Sequence, residues 1–134
     1  MFEYLRNVEG NSNPVMLHIK ATASSSNQPE AGDLVAIASG LAAKATSDST
    51  ALVGVAKENT SRDGYVLVII DERATYKVPT KTTLADSNLF GTFDLTDEVT
   101  VNFAASTKNV VQLLDYNNAK GEAVVKIART KSVI

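Results

Sequence analysis

Few side chains in this chain have the types and spacing that chemistry requires. His18 is the only histidine. It lies between Leu17 and Ile19, so in an extended segment it faces away from both. A Ser-His-Asp arrangement would have to use it. Serines and aspartates are abundant enough to write such a trio on paper, but a triad is defined by geometry and not by composition. An ordinary surface or half-buried histidine is the plainer account. Asp94, Asp97 and Glu98 lie close together, as do Asp71 and Glu72. Calcium takes roughly 6–8 oxygen ligands, commonly from a loop bent by glycine. Neither group carries the alternating Asp/Asn pattern of an EF-hand loop, so both read as solvated loop carboxylates. A glycosidase needs a substrate cleft as well as two carboxylates. A chain with no tryptophan and 6% aromatic residues has little to line one.

Other ligand classes fare no better. Gly54, Gly64 and Gly91 are isolated, and no glycine-lysine-serine or -threonine pattern follows any of them, so there is no phosphate loop. Asn59-Thr-Ser61 matches the N-glycosylation acceptor, a short pattern that chance supplies often. Lys77, Lys81, Lys108, Lys120, Lys126, Arg129 and Lys131 are dispersed and lack interleaved aromatics, which describes a solvated face. The net charge of −2 and pI near 5.3 leave no electrostatic footprint for nucleic acid or an anionic membrane. The absence of cysteine excludes disulfides and thiolate metal sites. The residues therefore assign no catalytic, cofactor-binding or metal role, and the expectation is a protein that is not an enzyme and uses no cofactor.

The elements that would position any site are short strands. At 134 residues the chain suits one domain with a real core. With 44% hydrophobic and 21% charged residues it has the composition of a folded soluble protein. The first residues lack the apolar run of a secretory signal. The longest apolar run, Tyr65 to Ile70, is far below the ~20 residues of a spanning helix. A soluble product made in a cytoplasm is expected. Residues 1–14 read as an N-terminal arm ending in the turn Asn11-Ser-Asn-Pro14, and residues 15–134 as a single β domain. Strands are expected at 15–21, 33–39, 41–45, 51–57, 65–70, 75–78, 98–104, 110–116 and 122–128. These are about nine short strands separated by turns, which predicts an all-β fold, either a small β-barrel or a β-sandwich. Residues 83–89 read as one helical turn or a loop. Alternation within strands places Leu52, Val55, Val66, Val68, Val99, Val101, Phe103, Leu113 and Ile127 in the core. At least one of Phe90 and Phe93 should be buried.

Two stretches suggest contacts beyond the chain. Leu34 to Ala38 is apolar on both faces. The strand is either buried on both sides or lies at a subunit contact; because a domain this small has little interior to cover two faces, one face of Leu34, Val35, Ala36 and Ile37 is assigned to a contact between sister subunits. In the arm, Phe2, Tyr4 and Leu5 are apolar or aromatic with Arg6 beside them. They either tuck onto the domain's own core or dock onto a neighbour.

The order of motifs in the middle of the chain resembles that of tailed-phage capsid decoration (cement) proteins. The matching pieces are Gly32-Asp-Leu-Val, then Gly40-Leu-Ala-Ala-Lys-Ala, then Leu52-Val-Gly-Val-Ala-Lys-Glu58 and a loop ending at Gly64 before a hydrophobic strand. Phe93-Asp-Leu-Thr, Val110 to Asp115 and Val124-Val-Lys-Ile continue the pattern, so the resemblance covers roughly residues 30–128. It implies a β-rich, non-enzymatic protein of the outer capsid surface that binds the major capsid protein, often as a homotrimer, with neither nucleic acid nor membrane as partner. On that reading Phe2, Tyr4, Leu5 and Arg6 are the capsid-binding residues. The alternatives are another β-rich virion component, such as a tail-tube or head-completion protein, and a carbohydrate-binding or host-adhesion module. The last would need exposed aromatics, and only Tyr4, Tyr65, Tyr76 and Tyr116 are candidates.

Overall fold

Runs of β-branched residues too short for a helix, punctuated by glycine and Asx turns, leave the chain only sheets in which to satisfy its backbone. The computed structural model describes residues 1–7 and 13–133. Val8, Asn11 and Ser12 of the arm and its turn, and the terminal Ile134, lie outside them. The described strands are β1 (Glu3–Asn7), β2 (Met16–Lys20), β3 (Leu34–Ala38), β4 (Leu41–Lys44), β5 (Gly54–Ala56), β6 (Tyr65–Ile69), β7 (Ala74–Pro79), β8 (Thr92–Asp97), β9 (Thr100–Asn102), β10 (Val111–Asn117) and β11 (Glu122–Ile127). They form two antiparallel sheets, a larger one in the order β1-β7-β11-β10-β8-β9 and a smaller one in the order β2-β6-β5-β3-β4. Of the two expected architectures, this is a sandwich of open sheets and not a closed barrel. Residues 86–88 make a single 3-10 turn.

Alternation along the strands sorts the side chains. The inner face of the larger sheet contributes Tyr76, Val78, Phe93, Leu95, Val101, Phe103, Val111, Leu113, Val125 and Ile127 to the main core. The smaller sheet covers them with Leu34, Val55 and Ile69, which lie side by side across β3, β5 and β6. Its opposite face holds a second cluster built on Val35, Ala42, Val53, Ala56, Val66 and Val68. The sheet curls over that cluster until its two edges meet at one end. There Ala21, just past β2, bridges Ala42 on β4, and the Thr22 N–H donates to the Ala42 carbonyl at 2.9 Å.

This curl corrects the reading of β3 as a subunit contact. Leu34 and Val35 are both 0% exposed within the single chain. Leu34 belongs to the main core and Val35 to the second cluster, so both faces of the strand are covered internally. Ala36 and Ile37 are half-buried, the former packing on the main core and the latter on the second cluster.

Gly54 makes the close approach between β5 and β6 possible. A Cβ on it would lie 1.7 Å from the Ile69 carbonyl oxygen, so only a residue without a side chain fits between the two strands.

Two strands escaped the pattern. β1 occupies an edge of the larger sheet, paired with β7 through Glu3–Lys77 and Tyr4–Tyr76 and kinked by a bulge before Arg6. The other is β8, in a stretch where no strand was expected; the strand expected at 98–104 is found only as β9 from Thr100 to Asn102, because Glu98 and Val99 form the turn that follows β8. Val99 is therefore half-exposed and outside the core, because the Asp97 carboxylate accepts its N–H at 2.9 Å and closes the turn there. The other eight residues expected in the core are buried. Of the Phe90/Phe93 pair, Phe93 is buried against Phe103, ring edge to ring face, with centroids 5.2 Å apart.

Candidate interaction surface

The carboxylates that suggested chemistry are used to close turns. Asp94 is buried on β8, and its Oδ1 accepts the backbone N–H of Lys108 at 2.7 Å and of Asn109 at 2.9 Å. Burial alone would raise its pKa. The N–H groups of Asn109, Lys108 and Thr107, with the Lys108 charge, outweigh that and hold the carboxyl below its ordinary value. Asp71 accepts the N–H of Arg73 at 3.0 Å, and Glu72 accepts the Thr130 hydroxyl at 3.3 Å. Asn59 accepts the Ala31 N–H at 2.9 Å, and Thr60 donates its hydroxyl to the Pro29 carbonyl at 2.7 Å. Among the described residues no group of His, Asp and Glu is placed to hold a metal ion, and no helix is long and apolar enough to cross a membrane.

One charged cluster joins the sheets. Asp33, at the start of β3, is buried, and its Oδ2 accepts the Glu30 N–H at 2.8 Å. Lys44 on β4 places its Nζ 3.9 Å from Asp33 and 3.8 Å from Glu98 in the β8–β9 turn. The Leu34 N–H donates to the Glu98 carbonyl at 2.7 Å. Desolvation pushes the Asp33 carboxyl above its ordinary value, against the pull of the Glu30 N–H and Lys44. This cluster ties the smaller sheet to the larger one. Its role is structural.

The proposed arm residues separate into two groups. Phe2 is 3% exposed and belongs to the main core, which corrects its reading as an exposed anchor. Its ring meets Tyr76 edge-on with centroids 6.2 Å apart, and Tyr4 meets the same ring at 6.0 Å. The Phe2 N–H donates to the Gly32 carbonyl at 2.9 Å. Gly32 has a φ of +89°, and a Cβ there would run into the Met1 side chain at 2.5 Å, so the glycine admits the N-terminus to its place. Tyr4 is half-buried over the core. Leu5 and Arg6 are exposed. The Arg6 carbonyl accepts the Thr75 hydroxyl, and Lys77 reaches Glu3 at 3.5 Å and Glu122 at 3.9 Å. The segment is a docked edge strand whose outward residues, Leu5 and Arg6, are available for contact.

Tyr76, beneath Phe2 and Tyr4, is 1% exposed, and its hydroxyl has no hydrogen-bond partner among the described residues. Burial drives its pKa far up, with Asp71 and Tyr4 adding to the effect, so it stays neutral.

Sequence reasoning passed over the remaining exposed apolar side chains: Met1, Val15, Met16 and Phe90. Phe90 is 66% exposed and holds a φ of +65°, a conformation that a bulky residue adopts only under constraint. The constraint is visible. Its N–H donates to the Leu113 carbonyl at 2.7 Å, and its carbonyl accepts from Gln112 Nε2 at 3.0 Å. Only its neighbour Gly91 hinted at the turn. Compared with known proteins, the chain matches no family model, no curated sequence and no solved structure.

Proposed function

We propose that this chain is a capsid decoration (cement) protein that binds the outer surface of a tailed-phage head and stabilises contacts between major capsid subunits. The observation that carries the reading is where the resembling segments fall. Gly32-Asp-Leu-Val, Gly40 to Ala45 and Leu52 to Glu58 enter adjacent strands β3, β4 and β5, and the hydrophobic strand that follows is β6. These four segments therefore lie together in the smaller sheet, with Gly54 of the valine-glycine-valine stretch fixed by the Ile69 backbone, while Phe93-Asp-Leu-Thr, Val110 to Asp115 and Val124-Val-Lys-Ile fall at β8, β10 and β11 of the larger sheet. Such a protein acts by mass action, because a ligand that binds only the assembled lattice shifts the balance toward assembly.

The contact we assign to the head is the outward side of β1. Among the described residues that strand pairs with β7 alone, so its other edge has no strand partner among them, and Leu5 and Arg6 are exposed beside it. An edge strand of this kind suits strand addition, in which backbone bonds supply affinity and side chains specificity. A homotrimer remains part of the proposal, seated on a surface other than Leu34 and Val35.

The test is to add purified protein to undecorated heads of its phage, and to image and sediment the mixture. Wild-type protein should decorate the heads. The double variant Leu5→Ser, Arg6→Ala should bind at least about tenfold more weakly, a loss of ~1.4 kcal/mol, with an unchanged melting temperature. Undecorated heads that stay bare with wild-type protein would refute the function. Wild-type affinity in the double variant would refute the anchor.

A further inference from the structure

We propose that the hollow beside Tyr65 is a binding site for a neutral sugar. The inference does not rest on the capsid reading, since the site lies on the smaller sheet while the proposed head contact lies on the larger one. The observations begin with the tyrosines. Tyr76 is buried in the core. Tyr4 is half-buried with its ring against Tyr76. Tyr116 is half-buried and donates its hydroxyl to Asp86 at 2.7 Å. Tyr65 is 42% exposed and opens onto a hollow of about 640 Å³, a volume within the ~300–1,000 Å³ range of small-ligand sites.

The floor is a rigid sheet surface. On β6, Val66 and Val68 point into the second cluster, which turns Tyr65 and Leu67 to the other face. Register places His18 beside Leu67 and Lys20 beside Tyr65. The ring and the Leu67 side chain supply an apolar platform for the C–H face of a pyranose.

The wall is the loop between β5 and β6, which brings Glu58, Arg62 and Asp63 to the hollow. Its backbone is already fixed. The Ser61 N–H donates to the Tyr65 carbonyl at 2.8 Å, the Gly64 N–H to the Ser61 carbonyl at 3.0 Å, and the Lys57 N–H to the Leu67 carbonyl at 2.8 Å. The Ser61 hydroxyl is committed to Asp63 and to the Tyr65 backbone. By contrast the side chains of Glu58, Arg62 and His18 and the Tyr65 hydroxyl make no hydrogen bond or ion pair with any described residue. Planar carboxylate and guanidinium groups beside an aromatic face match the vicinal hydroxyls of a sugar. Each carboxylate accepts from two O–H groups, and the guanidinium donates to ring and hydroxyl oxygens. Glu58 and Asp63 stand against Arg62 and the neighbouring Lys20, so the formal charges around the hollow balance and give uronic acids and phosphates no net attraction over neutral sugars. Because the loop backbone is pre-organised, the ordering entropy of binding falls on the side chains alone.

The experiment is a titration of 15N-labelled full-length protein, followed by amide chemical shifts. The probes are the methyl glycosides of glucose, galactose, mannose and N-acetylglucosamine, with glucuronic acid as the charged comparison. At least one neutral glycoside should shift residues 58–67 with a Kd on the order of millimolar. Tyr65→Ala should weaken that binding at least about tenfold, and Glu58→Gln, a surface change that leaves the fold intact, by several-fold. Three results would overturn the proposal: no shift in residues 58–67 at about 50 mM of any neutral glycoside, tighter binding of glucuronic acid, or unchanged affinity in both variants. Head binding measured on the same preparations reports separately on the capsid reading.

Discussion

Replacing Phe2 by alanine distinguishes a plug of the domain's own core from a free arm. In the structure the ring is 3% exposed and packs edge-on against Tyr76. Phe→Ala in a core costs about 3–5 kcal/mol, from lost transfer free energy and the cavity left behind. An edge-to-face aromatic pair adds about 0.5–1.5 kcal/mol beyond area. Relaxation of a terminal segment works the other way, so about 3 kcal/mol is the expected net loss. For a chain of 134 residues each kcal/mol corresponds to roughly 3–5 °C, and the variant should melt about 10–15 °C below wild type. Calorimetry or circular dichroism measures the shift, and urea titration checks that the m-value is unchanged. A melting temperature within about 2 °C of wild type would show that Phe2 contributes nothing to the core, and the docking of β1 described above would be wrong. Deleting residues 2–8 confuses anchor with plug, because it removes Phe2 together with Leu5 and Arg6.

Two other changes test single features of the fold. Asp94→Ala leaves the N–H groups of Lys108 and Asn109 without their acceptor and should cost about 2–4 kcal/mol by urea unfolding. Because the folded-state pKa of Asp94 is lowered, its contribution is complete above the unfolded carboxylate value of ~3.9 and fades as pH falls through the folded value. Stability of Asp94→Asn measured from pH 6 downward should lack that part of the acid loss, and parallel curves for variant and wild type would contradict the assignment. Gly54→Ala places a Cβ against the Ile69 carbonyl, so β5 and β6 must separate. A loss of more than about 3 kcal/mol, or failure to accumulate as folded protein, is expected, and near-wild-type stability would show that the two strands do not approach this closely.

The all-β class, the positions of nine of the strands and most of the core were legible in the sequence, because a period of two in short β-branched runs is a local property. Val66 and Val68 against Tyr65 and Leu67 is such a case, and each side chain lies on the face its place in the alternation assigns. The absence of any motif for phosphate, thiolate or EF-hand chemistry was equally plain. What alternation lacks is knowledge of what covers a face. β3 is apolar on both sides, and only the curl of the smaller sheet, closed by Ala21 on Ala42, shows that the chain itself buries both. Phe2 likewise offered two readings of equal weight, and the pairing of β1 with β7 decided between them. The β8–β9 turn escaped because Glu98 to Phe103 alternates well enough for one strand, while the Asp97 carboxylate that turns the chain acts across two residues. Phe90 gave no sign of being held outward, since the bonds to Leu113 and Gln112 come from more than twenty residues away. Tyr65 was one of four equivalent tyrosines by composition. Burial of one ring, packing of another and a hydrogen bond to a third left it as the ring that opens on a polar wall. Local patterns are written residue by residue, but partners far apart in the chain are chosen by packing, and in this protein packing determines which side chains reach solvent.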